Sequence, residues 1–156
     1  MLYNKKLSVV PITTHIKVAN ISKNIKKKNL IKKISTLNFY FKKIFKYWPK
    51  IAVLGLNPHC ESVDKVDEEK IVINPSIKYL KKKKIKITGP FSADTFFSNE
   101  NIKKYDVVIG MYHDQVLIPI KTLFNFNAIN LTIGLPFIRI TPDHGPNNKM
   151  LGKNKS

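Results

Sequence analysis

The sequence lacks several features that would place it in common protein classes. It contains one cysteine, Cys60, so no internal disulfide can form, which fits a reducing compartment. No apolar run approaches the ~18 residues that a membrane-spanning helix requires. The apolar run after the first lysines is too short for a secretory signal. We therefore expect a cytoplasmic protein without a membrane partner.

Arginine is almost absent, although the chain is strongly basic. The formal net charge is +18, and Arg139 is the single arginine among 28 basic residues. Proteins that recognise nucleic acids rely on the planar, bidentate arginine fork. Lysine, isoleucine and asparagine are all abundant, as AT-rich coding favours. The charge therefore indicates coding bias, and a lysine-rich nucleic-acid-binding protein is the least favoured alternative.

Apolar strand patterns alternate with helical patterns along the chain. This alternation predicts a one-domain α/β fold with a largely parallel sheet. The helical pattern that begins near Asp67 is expected to be interrupted at Pro75, and Ser92 or Asp94 is expected to cap a helix in "PFSADTFF". The segment "HDQVLIPIKTLF" is expected to be a loop and a short helix. Strands are predicted at 7–12, 51–55, 85–89, 106–111, 128–133 and 137–140, and helices at 20–48 and from Asp67 to 84.

Three of the four histidines occur in the same context, shortly after an apolar strand. They are His15, His59 and His113. Because the carboxyl ends of parallel strands lie along one edge of a sheet, three imidazoles would meet there. Such a set could bind a metal with an open coordination position, and Asp114 could orient one ligand. The alternative is that each histidine is an ordinary loop residue.

Four further residues are candidates for this edge. Arg139 follows the apolar "GLPFI" and is either a bidentate anchor for a phosphate or carboxylate, or part of a structural ion pair. Lys121 and Asn130 lie in later segments that could line the same edge. Cys60, beside His59, is better interpreted as a small buried thiol than as another ligand.

Several motifs together resemble one family. "VLGLNPH", "GPFSADTFF", "DVVIGMYHDQVLIPIKTL", "INLTIGLPFIRI" and "PDHG" resemble, in this order, the carboxyl-terminal half of the 4-hydroxythreonine-4-phosphate dehydrogenases of pyridoxal phosphate biosynthesis. The resemblance implies a partial isocitrate/isopropylmalate dehydrogenase-like fold, with a mostly parallel sheet and flanking helices. It also implies NAD- or NADP-dependent oxidation and decarboxylation of 4-hydroxythreonine 4-phosphate to 3-amino-2-oxopropyl phosphate.

The resemblance also assigns roles to residues. It implies that His15, His59 and His113 bind a divalent metal (Zn, Mg, Mn or Co). It implies that the substrate, a small phosphorylated amino acid, is bound by Lys121, Asn130 and Arg139. A homodimer with its active site at the interface is implied, so that His113 would serve the partner's metal. His144 is a weaker candidate for contact with the cofactor.

The departures from the family define two interpretations. Residues 1–146 would be the metal- and substrate-binding half of the enzyme, and residues 147–156 a disordered or diverged tail. Val116 replaces the glycine that follows "HDQ" in the family. The chain is then either half of an enzyme that needs a separate amino-terminal polypeptide, or a truncated, non-catalytic remnant.

Overall fold

The structure, a computed structural model, describes residues 1–61, 67–125 and 127–142. In these ranges seven strands form one mixed sheet in the order β4-β3-β5-β2-β1-β6-β7. The first four in this order are mutually parallel, and β1, β6 and β7 are joined by antiparallel pairing. The strands are β1 (Leu2–Tyr3), β2 (Ser8–Thr13), β3 (Ile51–Leu54), β4 (Ile87–Phe91), β5 (Val107–Tyr112), β6 (Ile129–Thr132) and β7 (Arg139–Pro142).

Helices cover both faces of the parallel part of the sheet. Short 3-10 turns occupy Val18–Asn20 and Pro58–Cys60, and a π-helical turn occupies Glu69–Ile73. No helix in the described part of the chain is long and apolar enough to cross a bilayer. The α-helices are α1 (Ile21–Asn24), α2 (Lys27–Phe45), α3 (Asn74–Lys82), α4 (Ala93–Phe96), α5 (Asn99–Lys104) and α6 (His113–Phe124).

The alternation of side chains along β5 creates two hydrophobic cores. Ile109 and Met111 pack with α2 and α3 on one face, whereas Val108 packs with α4 to α6 on the other. Each fully buried aliphatic side chain of this kind contributes about 1.5–3 kcal/mol by leaving water. The three- and four-residue spacing at 20–48 predicts an apolar stripe that ends with Ile44 and Trp48. Its first four members are buried, but Ile44 is half-buried and Trp48, which lies beyond α2, is 47% exposed; the buried members are Leu30, Ile34, Leu37 and Phe41.

The helix expected at 20–48 is shorter than predicted at both ends. The backbone is extended at Ile25 and Lys26, so α1 ends before α2 begins at Lys27. At the other end Lys46 adopts a left-handed conformation (φ 68°), and its N–H donates to the Lys42 carbonyl at 2.9 Å. α2 therefore ends at Phe45, three residues before the predicted end at 48.

Two expectations about proline and the "HDQ" segment were wrong. Pro75 does not break the helical backbone: the π-helical turn Glu69–Ile73 passes directly into α3, and Pro75 lies in the first turn of α3, where the hydrogen-bond pattern changes from π to α. The segment after β5 contains no loop, since α6 begins at His113 itself. Ser92 occupies the cap position of α4 as one of the two candidates, but its hydroxyl donates to the Asp94 side chain.

Candidate functional site

The three strands that precede the candidate histidines are neighbours in the sheet. β5 lies between β3 and β2 and pairs in parallel with both. The segments that carry His15, His59 and His113 therefore emerge at the same edge, as the sequence pattern predicted. What each side chain does at that edge differs.

His15 and His113 come together. Their ring centroids are 5.7 Å apart and the rings are inclined by 50°. Two imidazoles bound tetrahedrally to one zinc ion, with Zn–N distances of about 2.0–2.1 Å, would have centroids ~5 Å apart. The pair lines an open cleft of about 210 Å³ together with Thr13 and Tyr112. The spacing and the nitrogen donors thus fit a divalent metal such as zinc.

Asp114 orients one member of this pair. Its Oδ1 lies 2.6 Å from His113 Nδ1. Because a carboxylate can only accept, the contact favours the tautomer in which Nδ1–H donates, and Nε2 keeps its lone pair. Metal-binding histidines are commonly oriented in this way by a carboxylate. The contact that the sequence suggested for Asp114 is therefore formed.

His59 is held apart from the other two histidines. Its side chain is 80% exposed, and its Nε2 lies 3.6 Å from Asp94 Oδ2 on the first turn of α4. In the described ranges no three His, Cys, Asp or Glu side chains are close enough to share a metal ion. The single chain thus assembles a pair rather than the predicted triad, and the role of His59 as a ligand stays a prediction.

Two of the histidines have left-handed backbone conformations. His15 has φ 52° and His59 has φ 55°. This region is uncommon for residues other than glycine, although histidine is among the side chains enriched there. Such conformations cost on the order of 1–3 kcal/mol each and persist where the surrounding contacts fix them. The loops after β2 and β3 are therefore constrained at the residues proposed to bind the metal.

The groups around His59 have perturbed acidities. The Ser92 hydroxyl, by its hydrogen bond, lowers the pKa of Asp94, and nearby His59 lowers it further. Burial raises the pKa of the Cys60 thiol, and neighbouring carboxylates add to this effect. Cys60 therefore stays protonated at neutral pH, and a thiol is a poorer metal ligand than a thiolate. This agrees with the interpretation of Cys60 as a thiol and not a ligand, although the thiol is half-buried and not buried as predicted.

Buried hydrogen bonds join the three strand ends. The Thr13 hydroxyl donates to the Met111 carbonyl at 2.8 Å, which ties β2 to β5. Gln115 Nε2 donates to the Gly55 carbonyl at 2.7 Å, and its Oε1 accepts from the Met111 N–H at 2.7 Å. Gln115 therefore links the end of β5 to the end of β3, a role that the sequence analysis did not predict for this residue of the "HDQ" motif.

Glu69 is a buried carboxylate that sequence analysis missed. Its oxygens accept hydrogen bonds from the backbone N–H groups of Leu56 and Asn57 and from the Asn57 side chain. The sequence analysis assigned Glu69 no role beyond its place in the helical pattern that begins near Asp67. A signal was present, because Glu69 shares the helical spacing of the buried Ile73, Ile77 and Leu80.

The predicted substrate-binding residues lie apart from the histidine pair. Lys121 is on α6, two turns from His113. Asn130 lines a second open cleft of about 550 Å³, against β2 and α2. Arg139 is exposed on β7, where it pairs with Thr132 of β6. Because β1 and β6 separate β7 from β2, β7 is ~14 Å from β2 at normal strand spacing.

Asn130 and Arg139 nevertheless share one face of the sheet. Asn130 and Thr132 are two residues apart on β6, and Arg139 is directly opposite Thr132. The two side chains are therefore diagonal neighbours on that face. His144 and the tail at 147–156 lie outside the described residues.

Val116 does not occupy the site, although it replaces a glycine of the family motif. It is fully buried in the core and packs against Gly110 of β5. A Cβ added at Gly110 would lie 2.4 Å from Val116 Cγ1, so this glycine provides the space for the larger side chain. The departure is accommodated within the core.

The fold is the α/β fold of the isocitrate/isopropylmalate dehydrogenase class. The chain belongs to the family described as pyridoxal phosphate biosynthetic protein PdxA, whose family model matches residues 1–156. The resemblance stated from the sequence is thereby confirmed.

Individual relatives agree with this assignment. A 4-hydroxythreonine-4-phosphate dehydrogenase of Sulfurihydrogenibium sp. is 45% identical over 99% of this chain and 48% of its own length. A D-threonate 4-phosphate dehydrogenase of Pectobacterium atrosepticum is 37% identical over 93% of this chain and 45% of its own length. A crystal structure of the Klebsiella pneumoniae 4-hydroxythreonine-4-phosphate dehydrogenase matches with a TM-score of 0.82 and 36% identity, covering 96% of this chain and 46% of that one. The chain thus spans about half the length of the curated relatives it matches.

Proposed function

We propose that the chain is the metal- and substrate-binding part of an NAD- or NADP-dependent enzyme. The reaction is oxidation and decarboxylation of 4-hydroxythreonine 4-phosphate to 3-amino-2-oxopropyl phosphate in the cytoplasm. The observation that carries the proposal is the pairing of His15 with His113 at the carboxyl edge, with Asp114 on Nδ1 of His113. Family membership over the whole chain supports it.

Each group has a defined task in this proposal. A divalent metal bound by His15, His59 and His113 would polarise the substrate hydroxyl while the nicotinamide accepts hydride. Asp114 keeps the proton on Nδ1 of His113 and leaves Nε2 free to bind. The fork of Arg139 anchors the substrate phosphate or carboxylate, and Lys121 and Asn130 add hydrogen bonds.

We further propose that two copies of the chain build the site together. One chain holds His59 apart from the histidine pair, and it holds Arg139 on a distant strand. A homodimer with the active site at its interface would bring such separate groups together. The dimer also explains why a single chain presents only part of a ligand set.

The test is reconstitution with the other half of a relative. The chain is co-expressed with the amino-terminal half of the Sulfurihydrogenibium enzyme, and nicotinamide reduction is measured with 4-hydroxythreonine 4-phosphate. D-Threonate 4-phosphate is the second substrate, because one relative is named for it. We expect activity from the complex and none from the chain alone. A stable complex that is inactive on both substrates would refute the proposal.

The alternative is a non-catalytic remnant of this enzyme. It predicts that the chain folds and associates with itself but that no amino-terminal half restores activity. Genomic sequence upstream of Met1 separates the two: an intact reading frame for the other half favours the enzyme, and frameshifted fragments favour the remnant. Specific DNA binding at physiological salt would instead support the nucleic-acid alternative.

A further inference from the structure

We propose that Glu69 is a positioning residue that fixes the loop from Gly55 to Cys60 and thereby presents His59 at the edge of the sheet. The inference rests on the proposed function, which assigns His59 as a metal ligand. It adds a role for a carboxylate that contacts neither the metal ligands nor the substrate-binding residues.

The buried Glu69 carboxylate hydrogen-bonds to this loop through both of its oxygens. Glu69 is 1% exposed. Its Oε1 accepts from the N–H groups of Leu56 at 2.6 Å and Asn57 at 2.8 Å, and its Oε2 accepts from Asn57 Nδ2 at 2.7 Å. A buried carboxylate is strongly unfavourable unless such donors surround it. Glu69 and the start of the loop therefore fix each other's positions.

The close fit extends to the backbone of the loop. A Cβ added at Gly55 would lie 3.0 Å from Glu69 Oε1 and 2.8 Å from Cys60 Sγ. The Cys60 N–H donates to the Asn57 carbonyl at 3.1 Å, which closes the turn around His59. Asn57 therefore donates to Glu69 and accepts from Cys60. His59 lies inside this turn and has a left-handed backbone conformation (φ 55°, ψ 18°).

The same loop is tied to the histidine pair. Gln115 bonds the Gly55 carbonyl with its Nε2 and the Met111 N–H with its Oε1. Met111 is two residues before His113. Gln115 therefore sets the position of the loop's first residue relative to His113, and Glu69 sets the next two residues. Together they define where His59 lies relative to the other ligands.

The experiment compares Glu69→Gln with Glu68→Gln in the full chain. Glu69→Gln keeps the size of the side chain but replaces one acceptor oxygen with an NH2 donor. This donor would face the N–H groups of the loop, which are donors themselves. Glu68 is the matched control, because it reaches the loop only through the Asn57 side chain, at 3.0 Å. Thermal unfolding identifies any variant that does not fold, and Glu69→Asp serves as the conservative variant if Glu69→Gln is unstable.

Two readouts are measured on each protein. Amide hydrogen exchange at Leu56 and Asn57 needs no metal, and we expect it to accelerate in Glu69→Gln only. Zinc affinity, measured by calorimetry, is expected to fall about tenfold in Glu69→Gln, within the range for residues that orient metal ligands. It should be unchanged in Glu68→Gln.

The outcomes separate this inference from the proposed function. Unchanged exchange in Glu69→Gln would overturn the inference, whatever the metal does. Equal zinc affinity in Glu69→Gln, while His59→Ala binds more weakly, would also overturn it but leave the proposed function intact. If His59→Ala binds zinc as tightly as the unaltered chain, the ligand assignment itself is wrong, and the inference falls with it.

Discussion

The parallel and antiparallel parts of the sheet differ in how complete they are. Five of the six residues of β5, at the centre of the parallel part, are buried, whereas no residue of β7 is. Next to and within β7, Phe137, Ile138 and Ile140 are 63%, 65% and 56% exposed. The parallel part therefore buries its own core, and the antiparallel part presents apolar surface of the kind that marks an interface.

The candidate residues divide along the same line. His15 and His113 lie at the edge of the parallel part and are already close together. Asn130 and Arg139 lie on the antiparallel strands, far from that pair. The difference teaches that one chain preorganises the His15–His113 pair by itself, whereas it leaves the proposed substrate-binding residues Asn130 and Arg139 apart from that pair.

The largest effect is expected when the metal-binding pair is broken. We predict that His113→Ala abolishes activity of the reconstituted enzyme and lowers zinc affinity by more than the ~10–100-fold typical of residues that only orient ligands. For zinc affinity, His144→Ala is the control, because His144 is a candidate for contact with the cofactor and not with the metal. Equal zinc binding by the His113→Ala variant and the unaltered chain would contradict the assignment.

A pair of core and surface substitutions tests the contrast in burial. Ile109→Ala removes a fully buried side chain of β5 and should destabilise the chain by about 2–5 kcal/mol. Ile138→Ala, beside β7, should change stability by less than about 0.5 kcal/mol in the isolated chain. Denaturant unfolding measures both. The same Ile138→Ala variant should weaken association, measured by sedimentation, and unaltered association would argue against an interface at β7.

Arg139→Lys tests whether the antiparallel strands bind substrate independently of the metal. Loss of the bidentate fork should cost about 2 kcal/mol, which corresponds to a roughly 30-fold weaker interaction with the substrate anion. We expect a higher KM in the reconstituted enzyme and an unchanged zinc affinity in the chain alone. A KM that stays the same would favour the structural ion pair that the sequence left open.

Much of this arrangement could be predicted from the sequence, and the exceptions at the candidate site have one cause. Local periodicity predicted the buried stripe of α2 and the strands that precede His15, His59 and His113. It could not predict the bonds of Glu69 to Leu56 and Asn57 or that of Gln115 to Gly55, because they join residues 13, 12 and 60 positions apart in the chain. For the same reason the sequence could not show that His59 stays apart from the other two histidines.

The smallest effect is expected for Asp114→Asn, and it tests how far preorganisation matters within the histidine pair. An asparagine can still accept from Nδ1–H through its amide oxygen, but it lacks the negative charge that makes the hydrogen bond to a carboxylate the stronger one. Zinc affinity should fall about tenfold, less than in His113→Ala. The fold should be unaffected, because the Asp114 side chain is 67% exposed. Zinc binding that is unchanged in Asp114→Asn but abolished in His113→Ala would mean that the spacing of the two rings alone determines affinity. The loop after β2 and the start of α6 would then orient the histidines without help from the carboxylate.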